Sequence, residues 1–250
     1  MKRESGIAKE KNRRTFIGEC GFRMIKAVIF DLDGTLLNRD ESVKMFIQNQ
    51  FDRLDKLVGH IPKEKYVRRF IELDNRGYVW KDKVYQQLVN EFEITDITWE
   101  ELLQDYLSQF KKNCISFPNL NSMLEELRTN NLVLGLITNG KGQFQMDNIK
   151  AMGIEKFFEI ILVSEWEGIK KPDPQIFKRA LDQLNVSPNE CIFVGDHPDN
   201  DVKAARNVGM KGIWKRDFQS NNVEADFIVD DLGELPLIIE NLRQQIIETC

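Results

Sequence analysis

Two hydrophobic periods divide the chain. Residues 25–30 (Ile-Lys-Ala-Val-Ile-Phe) form a short, β-branched apolar run of the kind a buried parallel strand requires. It ends in Asp31-Leu32-Asp33-Gly34-Thr35, where Gly34 supplies a turn. From about Glu41 to Cys114 the period lengthens to that of a helix. Val43, Phe46, Ile47, Phe51, Leu54 and Leu57 fall on one helical face, and Pro62 suits the first turn of a second helix carrying Val67, Phe70 and Ile71. A third helix is centred on Val84, Leu88 and Phe92. A fourth carries Leu102, Leu103, Tyr106 and Phe110, behind Thr98 and Glu101 spaced as a capping box. Four helices with no strand between them predict a small bundle inserted after the first strand.

Beyond Pro118 strands and helices alternate. The pattern predicts strands at 132–138, 160–164, 191–194, 212–214 and 227–229, and helices at 120–129, 142–152, 174–184, 199–208 and 235–247. Such alternation predicts an α/β fold, a parallel sheet covered on both faces and joined by right-handed crossovers. Ligands of an open parallel sheet bind beyond the carboxyl ends of its strands, so polar residues directly after a strand are the candidates for chemistry.

Four such places stand out. In Asp31-x-Asp33-Gly34-Thr35 the two carboxylates, two residues apart in extended chain, can face one substrate; the plainer alternative is a turn with two capping aspartates. Thr138-Asn139-Gly140 offers a hydroxyl and consecutive N–H groups at a helix entrance, an anion cradle, although the same triplet is a common turn. Lys171 stands beside Pro172 in the rigid Lys-Pro-Asp-Pro loop, where its ammonium could neutralise a nucleophile and a transferring phosphoryl group. Gly195-Asp196 through Asp201 clusters carboxylates without cysteine, a donor set suited to Mg²⁺ rather than zinc. Asp199 within it reads as a helix N-cap. His197 reads as a residue of the site edge. His60 reads as a helix-end residue that could face the substrate.

Composition narrows the partners. The chain has 250 residues, 42% hydrophobic and 30% charged, an ordinary soluble globular balance with room for a core domain and a smaller insert. A net charge of −5 gives no reason to expect nucleic acid or an anionic membrane as partner. Cys20, Cys114, Cys191 and Cys250 are scattered, which reads as reduced thiols in a cytoplasmic protein, and a zinc site would need clustering that these and the two histidines do not offer. No apolar run approaches the ~20 residues of a membrane span. Residues 1–23 mix basic, acidic and polar groups without an apolar stretch, so they read as a disordered extension rather than a secretory signal. The expected assembly is a monomer.

Taken together and in order, these motifs resemble those of the haloacid dehalogenase (HAD) superfamily. Asp31-Leu32-Asp33-Gly34-Thr35 resembles its first motif, Thr138-Asn139-Gly140 its second, Lys171 before Pro172 its third, and Gly195-Asp196 through Asp201 its fourth. The resemblance covers about Ile25 to the C-terminus. It implies a Rossmann-like core, residues 24–37 and 117–250, with a helical C1-type cap at 38–116. It also implies that Asp31 is nucleophile and metal ligand, and that Asp33 is general acid and base, giving its main-chain carbonyl to Mg²⁺. Thr138 and Lys171 would hold phosphoryl oxygens, Asn139 and Gly140 would add main-chain donors, Asp196 would ligate the metal, and Asp201 would support it. The implied activity is hydrolysis of a small phosphorylated metabolite through an aspartyl-phosphate. The second aspartate disfavours dehalogenation; a sugar phosphomutase or a non-catalytic phosphate-binding protein is the alternative. Candidate cap contacts to the substrate are Arg39, Arg68, Arg69, Arg76, Tyr78 and Trp80, with Asn75-Arg76-Gly77-Tyr78 the polar loop best placed to face the core.

Overall fold

A computed structural model describes residues 24–217, 220 and 222–248. The expectation for residues 1–23 lies outside the described residues. Six strands, β1 (Ala27–Phe30), β2 (Val133–Thr138), β3 (Ile160–Val163), β4 (Cys191–Gly195), β5 (Lys211–Lys215) and β6 (Phe227–Val229), form one sheet in the order β3-β2-β1-β4-β5-β6. Every pairing is parallel, and Phe30 lies opposite both Leu136 and Val194. The fold is the expected Rossmann-like α/β architecture. β1 is central, and the chain winds outward from it in both directions. The carboxyl ends of β1, β2 and β4 therefore meet at the point where the winding reverses, which is where such sheets bind ligands.

Alternation along β1 explains why it is apolar throughout. Val28 and Phe30 pack into one apolar layer, and Ala27 and Ile29 into the other. The second layer is closed by Phe177, Phe193 and Ala205. The first is continuous with the interior of the insert, from Val28 and Leu36 through Phe46, Tyr85 and Phe110. Each such side chain contributes about 1.5–3 kcal/mol on full burial, so the shared layer holds the insert to the sheet.

The insert contains α1 (Arg39–Arg53), α2 (Asp55–Val58), α3 (Lys63–Asp74), α4 (Lys81–Glu91) and α5 (Trp99–Gln109). The first predicted helix is broken at Leu54, whose N–H is shared between Gln50 and Phe51 carbonyls, so a short α2 follows. Pro62 stands one position earlier than expected, as the residue before α3. The capping box is as expected: Thr98 Oγ1 accepts from Glu101 N (3.2 Å) and Glu101 accepts from Thr98 N (2.9 Å). Two linkers attach the insert side by side. Leu37 bridges Ser116, Asn38 N donates to Ile115 O (2.8 Å), and Phe117 N to Leu36 O (3.0 Å).

The remaining helices are α6 (Leu120–Thr129), α7 (Gly142–Ala151), α8 (Ser164–Glu167), α9 (Pro174–Leu184), α10 (Ala204–Asn207) and α11 (Leu235–Glu248). α8 was not expected; it is a single turn, too short to show a period. The predicted 199–208 helix is α10 preceded by a wider coil over Pro198–Lys203. There Asp201 and Val202 both donate to His197 O (3.1 and 3.4 Å), the second bond having the π-helical spacing. Among the described residues no helix is long and apolar enough to cross a membrane.

Candidate active site

Asp31 is the first residue beyond β1, tied to the neighbouring strand by its N–H to Val194 O (2.9 Å). Its carboxylate is buried and held from two sides. Lys171 Nζ donates to Oδ1 (2.5 Å), and Thr35 Oγ1, brought back by the Gly34 turn, donates to Oδ2 (3.3 Å). The same ammonium reaches Asp201 Oδ1 (2.6 Å), whose other oxygen accepts from His197 N (3.0 Å). Asp196 completes the group: one oxygen each of Asp31, Asp196 and Asp201 lie within 4.8 Å of one another. Gly34, at φ +85°, has no Cβ because one would collide with the Asp196 carboxylate.

Two carboxylates share one ammonium here, and a third, Asp196, lies beside them. Burial pushes the Asp31 carboxyl up to about 7; Lys171 pulls it back, and Asp201 adds to the rise. Burial likewise raises Asp196 well above the carboxylate range, reinforced by Asp31 and Asp201. Burial would lower Lys171, but Asp201 and Asp31 outweigh it and hold the lysine above its ordinary value. The cluster is short of positive charge, and its donors are all hard oxygens, the chemistry of a divalent-cation site. Trp214 Nε1 donates to the Asp196 main-chain carbonyl (2.8 Å), which anchors the backbone from which this carboxylate projects.

Thr138 is the last residue of β2 and Asn139 the first beyond it. The Asn139 side chain locks the lysine loop in place: Nδ2 donates to Lys171 O and Oδ1 accepts from Lys171 N, both 2.9 Å. The Gly140 N–H is donated to Ser164 Oγ (3.0 Å), so it is not the free donor expected of it. Asp33 faces this side. Its Oδ2 accepts from Gln145 Nε2 (2.6 Å), and the same nitrogen lies 2.7 Å from Thr138 Oγ1. Gln145 was missed by sequence reasoning. A signal existed: it and Asn148 are polar residues on the buried face of α7, in the first turns after the Thr-Asn-Gly loop.

The insert crosses over this edge. Between α3 and α4, Asn75 and Arg76 take left-handed backbone angles (φ 43° and 54°). Arg76 pairs with Asp217 (2.9 Å), beyond β5, and its charge lowers the Asp196 pKa. The Tyr78 ring meets the His197 ring edge-on at 6.5 Å, and Trp80 lies under Lys141 Nζ at 5.3 Å. The segment thus spans the opening from the β4–β5 side to the β2 side. Behind it a second buried cluster fixes its ends: Arg39 donates to both oxygens of Asp74 (3.1 and 2.9 Å), and Lys81 pairs with the same carboxylate.

A family profile described as haloacid dehalogenase-like hydrolase matches residues 28–215. The chain belongs to that family. A glyceraldehyde 3-phosphate phosphatase of Pyrococcus furiosus is 28% identical over 234 residues, covering 87% of this chain and 94% of the relative. The crystal structure of a HAD phosphatase from Thermococcus onnurineus superposes with a TM-score of 0.62 at 28% identity, over 86% of this chain and 98% of the other. A 2-haloacid dehalogenase of Pseudomonas syringae pv. Tomato shares the fold alone, at TM-score 0.60 and 24% identity over 87% and 99% of the two chains.

Against this family background the structure brings Asp31, Asp33, Thr138, Asn139, Lys171, Asp196 and Asp201 to one edge of the hydrolase sheet. Asp199 is not the N-cap of its segment. That position belongs to His197, whose Nδ1 accepts from Asp199 N (3.2 Å) and Asn200 N (3.1 Å), while Asp199 is exposed and 3.4 Å from Lys203. An aspartate side chain suits the capping role, but a histidine ring does that work here. His60 lies just beyond α2 and its Gly59 cap, exposed, 3.3 Å from Phe92 O. Arg69 is spent on Glu91 and Glu72, and Arg68 lines an outer groove with Lys63 and Ile71.

Proposed function

We propose that this hydrolase is a magnesium-dependent phosphatase of a small phosphorylated metabolite, with residues 38–116 serving as a cap over the site. The carrying observation is the buried Asp31 carboxylate, held by Lys171 and Thr35 beside Asp196 and Asp201, with the Asp33 carboxylate two residues on. The name of the Pyrococcus relative supports the same class of reaction.

Asp31 and Asp196 would hold the cation with the Asp33 main-chain carbonyl, and Asp201 would steady it through the Lys171 ammonium. When bound, Mg²⁺ supplies the positive charge that the three carboxylates lack and neutralises charge on the phosphoryl group. An Asp31 oxygen attacks phosphorus as the bond to the leaving oxygen breaks, and Asp33 passes its proton to that oxygen. Asp33, now a carboxylate, takes a proton from water as the water oxygen attacks phosphorus. The Asp31–phosphorus bond breaks and inorganic phosphate leaves. Lys171 and Thr138 hold the phosphoryl oxygens through both steps. The Asn75–Trp80 segment of the cap is placed to exclude bulk water and to meet the leaving group.

The test is phosphate release from a panel of phosphorylated metabolites and p-nitrophenyl phosphate. Release that stops with EDTA and returns with Mg²⁺ is the expected result. Return with zinc alone would overturn the cation assignment, and no release from any compound would overturn the phosphatase reading.

A further inference from the structure

Gln145 occupies a position that the residue roles above do not use. It is buried, in the first turns of α7, and its side chain leans back toward the helix N-terminus as long helical side chains do. Its Nε2 lies 2.6 Å from Asp33 Oδ2, 2.7 Å from Thr138 Oγ1 and 3.3 Å from Asn139 O. The partners fix the orientation of the amide. A carboxylate oxygen and a main-chain carbonyl can only accept, so the NH₂ group, not the carbonyl, must face them. Gly140 makes the approach possible: a Cβ there would lie 2.9 Å from Gln145 Cγ.

We infer that Gln145 is the positioning residue of the general acid and base, selecting which oxygen of Asp33 carries the proton. An amide donor on Oδ2 keeps that oxygen an acceptor, so the proton of the acid form sits on Oδ1. It also fixes the carboxyl plane, since the amide is itself tied to Thr138. The second effect falls on Thr138. Its hydroxyl oxygen receives the Gln145 hydrogen, so its own hydrogen is left to donate, to Asn139 O (3.5 Å) or to a phosphoryl oxygen. One amide thereby sets the proton inventory of both the acid and the phosphate contact. This inference rests on the reading of Asp33 as general acid and base.

The test uses leaving groups of different need. An alkyl phosphate such as glycerol 2-phosphate expels an alkoxide that must be protonated, whereas p-nitrophenyl phosphate expels a stable phenolate. Gln145→Leu and Gln145→Met remove the donor with little change of volume, and both are assayed so that a packing defect in one does not decide the outcome. General acid catalysis contributes roughly 10²–10⁴-fold, so misplacing the acid should lower kcat/KM for the alkyl ester by ~10-fold or more beyond the loss for the aryl ester. The ratio is independent of how much of the preparation is folded. Asp33→Asn is the companion: it should show the same discrimination, and adding a Gln145 substitution to it should widen the alkyl-to-aryl difference no further. If Asp33→Asn discriminates and the Gln145 variants lose both substrates equally, Gln145 is structural and the inference fails. If Asp33→Asn treats both substrates alike, the acid reading of Asp33 is what fails.

Discussion

Two ionic clusters lie within electrostatic reach of Asp33, and they are built with opposite imbalance. At the sheet edge one cation, Lys171, serves Asp31 and Asp201 with Asp196 close by. In the insert one anion, Asp74, serves Arg39 and Lys81. Both bury charge, which is costly unless paired. The insert cluster pairs one guanidinium nitrogen and one ammonium with a single carboxylate. Burial lowers both cations and Asp74 raises them, with Asp33 adding to the rise, so that Arg39 ends above its ordinary value and Lys81 below. It joins three points of chain: the start of α1, the end of α3 and the start of α4. The sheet-edge cluster keeps a negative excess with carboxyl groups far above their ordinary range. The first arrangement builds a frame, the second a site that awaits charge from outside.

The sharpest break of this comparison is Asp31→Asn. It removes the proposed nucleophile, and turnover should fall by ~10⁴-fold or more, leaving what binding and orientation alone provide. Asp74→Asn, which removes a carboxylate from the frame, should lower turnover far less and act on folding instead. Phosphate release and circular dichroism of both variants check this; retained turnover in Asp31→Asn would remove the covalent mechanism.

Next in size is the contrast in stability between breaking each cluster at its centre. Lys171→Met strands buried carboxylates, and Asp74→Asn strands buried cations. Removing one partner of a buried pair typically costs about 3–5 kcal/mol. The two losses should differ in their response to magnesium: added ion should recover part of the Lys171→Met loss in urea unfolding and none of the Asp74→Asn loss. Equal recovery in both would mean that the negative excess is not a cation site.

The same contrast explains what was legible from residues alone. The sheet-edge cluster was readable because Asp31 and Asp196 directly follow apolar strands, Lys171 and Asp201 stand in the segments that leave β3 and β4, and parallel topology brings those strand ends together. Gln145 lies on a helix, where a buried polar residue looks like any other until its neighbours are known. The insert was legible as helices but not as chemistry. Arg39, Asp74 and Lys81 meet only through tertiary packing, and Gly77 makes room for the Arg39 guanidinium, which a Cβ would approach to 2.9 Å. Arg76 and Tyr78, in the segment after α3, reach Asp217 and His197 at the sheet edge, whereas Arg68 and Arg69, on α3 itself, point outward. The break at Leu54 and the His197 cap depend on local geometry that residue preference does not encode.

The smallest effect concerns pH and follows from the raised carboxyls. Asp31 has an ordinary value of 3.8 and is pushed to about 7 by burial, so the folded chain binds this proton more tightly than the unfolded chain. The stabilisation that this confers is complete below the unfolded value and is lost as pH rises through the folded one. Asp196, raised in the same direction, extends the loss upward, while Lys171, held above 10.5, stays charged throughout the window. The metal-free protein should therefore lose stability from this source between about pH 5 and 8. Magnesium competes with those protons, so its binding should strengthen over the same interval. At a hundredfold excess over its dissociation constant a ligand adds about 2.7 kcal/mol, which in a chain of this size is a rise in Tm of roughly 5–10 °C. Thermal unfolding with and without Mg²⁺ should show a larger rise at pH 8 than at pH 5.5, with the difference reduced in Asp31→Asn and unchanged in Asp74→Asn. A rise as large at pH 5.5 as at pH 8 would mean that the ion does not bind where these carboxyls titrate.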